Sequence, residues 1–137
     1  MKITKEYQWE MGHRLPFHPG PCKNLHGHSY KAYITLEGTL DKYGILIDFY
    51  DIDKVIKPLL DRLDHAFILA DSDTEVITFF KNINSKHEVI PFHSTAENLA
   101  LFFIDEIRKS GLPENISGIS VSIYETADAS ATASVTF

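Results

Sequence analysis

The segment Cys22–His28 contains the only cysteine of the chain and two of its seven histidines, and His13 precedes it by a short interval. Neutral imidazole is a good zinc ligand, and three protein ligands with a fourth position open to water or substrate are typical of a catalytic zinc site. A His-Gly-His triplet on its own also occurs on solvated loops. The third histidine and the nearby thiol favour a metal site, so we predict that His13, His26 and His28 bind Zn²⁺.

Cys22 has three possible roles. A cysteine reacts as a thiolate, which requires a nearby cation or metal, and Lys23, His18 and the expected zinc could each supply the positive charge. Cys22 could instead complete a closed structural zinc site, or it could be a small buried apolar residue. Because the histidines already supply three ligands, we expect Cys22 to act as a reactive group.

Asp64 and His65 form a second candidate pair. An aspartate can orient a histidine ring and raise its basicity, as proton transfer requires. Neighbouring residues do not face each other on a helix, so the two side chains can meet only where a helix ends. An Asp-His pair at that position is also common as a simple helix terminus.

Glu125 and Glu97 are candidate ligand-binding carboxylates. Glu125 continues an apolar strand face, where an unpaired carboxylate is costly. A carboxylate that accepts two hydrogen bonds suits the guanidine-like edge of a pterin. Alternatively, Glu125 lies at a solvated strand end, and Glu97 is an ordinary acid in the first turn of a helix.

Two alternating patterns predict how the histidines are positioned. Apolar residues occupy odd positions before the segment and even positions after it, which is typical of two half-buried strands. His13 continues the odd series, and His26 and His28 continue the even one. An antiparallel hairpin would therefore place all three rings on one face, near its long loop. The apolar residues concerned are Ile3, Tyr7, Trp9 and Met11, then Tyr30, Ala32, Ile34 and Leu36.

Helical periodicity appears in the middle of the chain. Asp48 is a plausible N-cap for a helix extending to Leu63, and Pro58 should bend or divide that helix. A shorter helix is expected over residues 71–82. A third should begin after Ser94 or Thr95 and stop at Gly111.

Strand patterns complete the order of elements. Residues 88–92 form a possible short strand, and two alternating segments end the chain. The order predicts an α+β fold, with a four-stranded antiparallel sheet, helices packed on one face, and a single domain over residues 1–137.

Composition excludes several function classes. The formal net charge of −6 argues against a nucleic-acid-binding surface, which needs clustered Lys and Arg. No apolar run approaches the roughly 20 residues of a membrane-spanning helix, and no signal-peptide pattern opens the chain. We therefore expect a cytoplasmic protein that binds neither nucleic acid nor membrane.

The motifs together resemble the 6-pyruvoyltetrahydropterin synthase and 6-carboxytetrahydropterin synthase family, which has the tunnelling fold. The similarity covers nearly the whole chain in the family's order. The matching segments are Gly12-His13-Arg14-Leu15, Cys22-Lys23-Asn24-Leu25-His26-Gly27-His28-Ser29-Tyr30, Gly44-Ile45-Leu46-Ile47-Asp48-Phe49, Leu63-Asp64-His65, Thr95-Ala96-Glu97-Asn98-Leu99-Ala100 and Tyr124-Glu125-Thr126.

The resemblance implies specific roles for these residues. His13, His26 and His28 would bind zinc, and Cys22, Asp64 and His65 would transfer protons. Glu125, assisted by Glu97 and Thr95, would anchor the pterin. Family members assemble as two stacked trimers whose strands close a β-barrel, so a homohexamer with sites between subunits is implied.

The resemblance also implies a reaction. The substrate would be 7,8-dihydroneopterin triphosphate, with Arg14 and Lys23 as candidate contacts to its triphosphate. The three-residue gap between Cys22 and His26 is similar to that of the 6-carboxytetrahydropterin synthases of queuosine biosynthesis, which release triphosphate and acetaldehyde. Pyruvoyl formation and aldolase-type cleavage are alternatives on the same fold, and a zinc-holding binding module without turnover is a further one.

Three departures from the family pattern are visible. Ser94 occupies a position that is usually proline, the segment between His65 and Thr95 is longer than in compact bacterial members, and residues 127–132 have no aromatic side chain. We expect none of the three to touch the zinc ligands.

Overall fold

The chain folds into one six-stranded sheet with three α-helices, and the computed structural model describes residues 1–137. This arrangement confirms the predicted α+β class. The strands are β1 (Lys2–His13), β2 (His26–Gly38), β3 (Ala66–Ala70), β4 (His87–Ile90), β5 (Ile116–Thr126) and β6 (Ala129–Thr136). The helices are α1 (Phe49–Leu63), α2 (Thr74–Asn82) and α3 (Ala96–Lys109).

The sheet is mixed, with the strand order β4-β3-β1-β2-β5-β6. The long strands β1, β2, β5 and β6 are antiparallel neighbours, whereas β3 pairs parallel with both β1 and β4. The prediction of a four-stranded antiparallel sheet was therefore wrong. Residues 66–70 read Ala-Phe-Ile-Leu-Ala, a short apolar run without alternation, and periodicity cannot distinguish such a buried strand from a continued helix.

The main core lies between the sheet and helices α1 and α3. Alternate side chains of β1 and β2 pack there with the apolar stripes of the two helices, and Tyr30, Ile56 and Phe103 are fully buried among them. A second, smaller cluster joins Leu69 of β3 to Val76 and Phe80 of α2. Because Ile68 belongs to the main core and its neighbour Leu69 to the other cluster, α2 covers the opposite face of the sheet. Only α1 and α3 follow the prediction of helices on one face.

Helix α1 begins as predicted, because the Asp48 carboxylate accepts a hydrogen bond from the backbone N–H of Tyr50. Pro58 lies inside this helix without dividing it, so of the two predicted effects, a bend or a division, the structure excludes the division. Pro58 and Lys54 are both exposed, and the Lys54 carbonyl that loses its partner can therefore bind water. None of the helices is long and apolar enough to span a membrane.

Candidate metal centre and active site

The hairpin of β1 and β2 brings three imidazole rings together. In the antiparallel register His13 faces His26 and Met11 faces His28, so the three rings project from the same face. The ring centroids are 4.7 Å apart for His13 and His26, 5.1 Å for His13 and His28, and 4.9 Å for His26 and His28. One ring nitrogen from each residue lies within 4.8 Å of the others, which is a spacing that a single metal ion can bridge.

Hydrogen bonds to two of these rings orient their free nitrogens. His13 Nδ1 lies 3.0 Å from the carbonyl oxygen of Ser94, and His26 Nδ1 lies 2.6 Å from that of Asn24. Because a carbonyl oxygen only accepts, each Nδ1 carries the proton and each Nε2 keeps a free lone pair. The Nε2 atoms of His13 and His28 are buried without any hydrogen-bond partner. Buried polar atoms are rarely left unpaired, so these two nitrogens fit a bound metal.

Burial also keeps two of the rings neutral. Loss of solvent lowers the pKa of His13 to about 4, despite the opposing hydrogen bond to Ser94. The pKa of His28 is lowered by burial and then by the nearby His26. Neutral imidazole is the form that binds metal, so the site is prepared for metal at neutral pH.

Glu125, near the end of β5, lies beside the three rings. Its two carboxylate oxygens are 4.0 Å from His13 Nε2 and 3.9 Å from His28 Nε2. Burial raises the pKa of Glu125, and the charge of Glu97 raises it further, although His26 opposes both effects. A partly buried carboxylate therefore lies next to the histidine cluster, so one ligand could contact both the carboxylate and a metal held by the histidines.

Thr95 and Glu97 belong to the start of α3. The Thr95 hydroxyl accepts a hydrogen bond of 3.2 Å from the backbone N–H of Asn98. Thr95 therefore serves as the N-cap of the helix. Glu97 lies in the first turn and is close enough to Glu125 to affect its pKa. The structure thus gives Thr95 a local structural role and places Glu97 beside the candidate site.

Cys22 is partly buried in a short 3₁₀ turn, Pro21–Lys23, within the loop between β1 and β2. The loop is closed by a hydrogen bond of 2.8 Å from the Leu15 N–H to the Cys22 carbonyl oxygen. The thiol does not belong to the cluster formed by the three histidines. This placement favours a separate role for the sulfur over a fourth ligand position.

Asp64 and His65 are paired where α1 ends. His65 Nδ1 lies 3.0 Å from Asp64 Oδ2, and the other carboxylate oxygen accepts a hydrogen bond of 2.9 Å from the Glu10 N–H. That backbone hydrogen bond is the main reason that the pKa of Asp64 is lowered. His65 has a positive φ, in the left-handed region, which allows two consecutive side chains to meet. Such strained conformations are common at functional sites.

The Asp64–His65 pair lies at a cleft whose lining does not include Cys22. His65 borders a cleft of about 500 Å³ that is also lined by Glu10, Gly12, His26, His28 and Phe67. Strand alternation turns Glu10 and Gly12 away from the face that carries His13. A Cβ atom on Gly12 would lie 2.5 Å from the Phe67 ring. No hydrogen bond joins Cys22 to Asp64 or His65.

Two polar residues have contacts that the sequence did not reveal. The Arg14 guanidinium donates hydrogen bonds to both carboxylate oxygens of Asp73. The distance is 2.7 Å from Nε to Oδ2 and 2.6 Å from Nη2 to Oδ1. This bidentate pair holds Arg14 at the start of α2.

The Ser94 hydroxyl lies 3.0 Å from His13 Nδ1. The expectation that Ser94 would not touch the zinc ligands was wrong. Ser94 is distant from His13 in sequence, so no local pattern could have indicated the contact.

Similarity to known proteins agrees with this architecture. The profile of the family described as 6-pyruvoyl tetrahydropterin synthase matches residues 2–135. The 6-carboxy-5,6,7,8-tetrahydropterin synthase of Haemophilus influenzae is 37% identical over 133 residues, covering 91% of this chain and 92% of its own length. The protein of that name from Aquifex aeolicus is 32% identical and covers 95% of each chain.

Solved structures show the same fold. The 6-pyruvoyl tetrahydropterin synthase of Plasmodium vivax superimposes with a TM-score of 0.79 at 19% identity, covering 100% of this chain and 98% of its own. The Caenorhabditis elegans protein of that name gives a TM-score of 0.73 at 24% identity, covering 99% of this chain and 96% of its own. By the match along almost its entire length, this chain belongs to the 6-pyruvoyl tetrahydropterin synthase family.

Proposed function

We propose that the protein is a zinc-dependent 6-carboxy-5,6,7,8-tetrahydropterin synthase. It would convert 7,8-dihydroneopterin triphosphate and water into 6-carboxytetrahydropterin, triphosphate and acetaldehyde, as a step towards queuosine and related deazapurines. The observation that carries the proposal is the cluster of three histidines beside the partly buried Glu125. The Haemophilus influenzae and Aquifex aeolicus relatives described above bear the name of this activity.

His13, His26 and His28 would hold the zinc through ring nitrogens, two of them oriented by backbone carbonyls. When bound, zinc supplies a Lewis acid that polarises side-chain oxygens of the substrate and acidifies the adjacent C–H bonds. The metal preference is supported by the donor set, since three neutral imidazoles and one open position are typical of catalytic zinc.

Glu125 would orient the substrate. An ionised carboxylate can accept two N–H groups from the 2-amino and ring positions of a pterin, which fixes the ring in one orientation. The oxygens of Glu125 lie close to two of the proposed zinc ligands, so a pterin bound to Glu125 would lie beside the proposed metal site. Glu97 and Thr95 would support this end of the site from the start of α3.

Cys22 would accept or deliver a proton on one side of the bound side chain, and His65, oriented by Asp64, would do so on the other. Because no hydrogen bond joins the Asp64–His65 pair to Cys22 and Cys22 does not line the cleft beside His65, the pair would serve the Cys22 of a neighbouring subunit. A homohexamer of two stacked trimers would allow this, and closing a barrel would also pair the outer edge of β6.

Residues 1–137 would form one catalytic domain that works in the cytoplasm. A single continuous sheet and one main core of 23 buried residues support the domain assignment.

Product analysis tests the function. Purified protein with zinc is incubated with 7,8-dihydroneopterin triphosphate, and the products are identified by mass spectrometry. The proposal predicts 6-carboxytetrahydropterin together with acetaldehyde and triphosphate. A pyruvoyl product or 6-hydroxymethyl-dihydropterin would overturn it in favour of another reaction on this fold, and zinc binding without any turnover would indicate a binding module.

A further inference from the structure

We propose that Ser94 is a positioning residue for the metal ligand His13, with its hydroxyl as well as its carbonyl holding the ring. The inference rests on the proposed zinc site and adds to it a residue outside the ligand set. Ser94 belongs to the segment that leads into α3, whereas His13 ends β1, so the contact joins two distant parts of the chain.

Two oxygen atoms of Ser94 lie within hydrogen-bond distance of a single nitrogen of His13. Nδ1 lies 3.0 Å from the carbonyl oxygen of Ser94 and 3.0 Å from its hydroxyl oxygen. The carbonyl can only accept, so Nδ1 must carry the proton and share it between the two oxygens. The opposite nitrogen, Nε2, is buried and has no partner in the chain. The contact to Ser94 thus selects the tautomer in which Nε2 offers its lone pair to the metal.

The surroundings of Ser94 make this contact rigid. Ser94 and His13 are each only 1% exposed, so bulk water does not compete for this contact. The next residue, Thr95, caps α3 with its own side chain and fixes the backbone on which the Ser94 carbonyl lies. His26 differs, because its Nδ1 has one acceptor, the Asn24 carbonyl, in a more exposed position. His13 is therefore the more tightly oriented of these two rings.

Zinc affinity provides the first test. The variant Ser94→Ala keeps the carbonyl and loses only the hydroxyl. We expect it to bind zinc about 10-fold more weakly in competition with a chromophoric chelator, at the low end of the effect of losing an outer-shell partner. Ser110→Ala is the matched control, because Ser110 lies at the other end of α3, where its hydroxyl donates to the Ile107 carbonyl. We expect the control to bind zinc like the wild type.

The tautomer of His13 provides a second test that needs no variant. Long-range ¹H–¹⁵N correlation spectra of zinc-free wild-type protein should show His13 protonated at Nδ1. An Nε2-protonated His13 in the wild type, or unchanged zinc affinity in folded Ser94→Ala, would overturn the inference. Both measurements are made without substrate. Failure of the enzyme to make the expected product would instead contradict the proposed function and leave this result standing.

Discussion

Asp64 and His65 are consecutive residues whose side chains form a direct pair, with 3.0 Å between Asp64 Oδ2 and His65 Nδ1. The left-handed backbone of His65 makes this possible, and the hydrogen bond from the Glu10 N–H holds the carboxylate in place. The His65 side chain is 76% exposed, which is unusual for the proton-transfer role that we propose for it. An assembled neighbour would complete its surroundings.

Subunit mixing tests whether the site is shared between chains. Cys22→Ala and His65→Ala should each abolish most turnover while retaining zinc. If the two residues act across an interface, random 1:1 hetero-oligomers of the two variants should recover roughly a quarter of the wild-type activity per site, because one intact Cys22 then faces one intact His65. Turnover is measured after subunit exchange.

Each variant carried through the same exchange procedure by itself is the control, and it should remain inactive. Complete inactivity of verified hetero-oligomers would show that Cys22 and His65 act within one chain, contrary to the proposed arrangement.

Removal of one of the three histidines should greatly weaken zinc binding. In His28→Ala the zinc affinity should fall by more than about 100-fold, since losing a direct ligand costs more than losing an outer-shell partner. The measurement is metal content after dialysis, combined with chelator competition. His87→Gln is the control, because His87 lies in β4, bonded to the Ser85 carbonyl. Retention of stoichiometric, tightly bound zinc by His28→Ala would exclude the three-histidine site.

Substitution of Glu125 should affect substrate use and spare the metal. Glu125→Gln keeps the shape of the side chain and removes its charge, so kcat/KM should fall by about 10- to 100-fold, as expected for a hydrogen bond to a charged group. Steady-state kinetics and zinc analysis measure the two properties separately. Glu114→Gln, in an exposed loop, should change neither. Wild-type kinetics for Glu125→Gln would remove Glu125 from the proposed binding site.

Asp53 should make the fold sensitive to acid. Hydrogen bonds from Lys5 and Tyr7 lower the pKa of this buried carboxyl to about 2. A carboxyl whose pKa is lowered by folding stabilises the protein above its unfolded value, and this contribution is lost as pH falls from about 4 towards 2. Asp53→Asn should therefore reduce the free energy of unfolding at pH 7 by about 2 kcal/mol.

Urea unfolding at a series of pH values measures this effect. The difference between wild type and Asp53→Asn should shrink below about pH 4, as the wild-type carboxyl becomes protonated. Asp61→Asn changes an exposed residue of the same helix and should have little effect at any pH. A difference that stays constant down to pH 2 would mean that the charge of Asp53 does not contribute to stability.

Much of the fold could be predicted because local patterns determine it. The alternation in residues 3–11 and 30–36 predicted the central hairpin, and the Asp48 and Thr95 caps marked where two helices begin. The short strand 66–70 could not be recognised, since five apolar residues after a helix have no distinguishing period. Its parallel pairing depends on distant residues of β1, which no local pattern contains.

The candidate site likewise has features that the sequence predicts and features that it does not. Strand parity was sufficient to place the three histidines on one face, because a hairpin fixes the relation between its two strands. The proximity of Glu125 to His13 and the contact with Ser94 arise from the packing of β5 and α3 against that hairpin. Such contacts join residues that are far apart in the chain, and only the assembled core determines them.

Gly12 has no side chain, and this leaves room for an aromatic ring beside the strand that carries His13. The Phe67 ring of β3 lies directly on the backbone of Gly12, which precedes His13, and Phe67 itself follows His65 by two residues. Any larger residue at position 12 would overlap the Phe67 ring, so the ring, or the strand β3 that carries it, would have to shift. The contact between Gly12 and Phe67 thus lies between the strand that ends in His13 and the strand that follows the Asp64–His65 pair. In a symmetric assembly this contact would be repeated in every subunit, so a larger residue at position 12 would disturb all of them together.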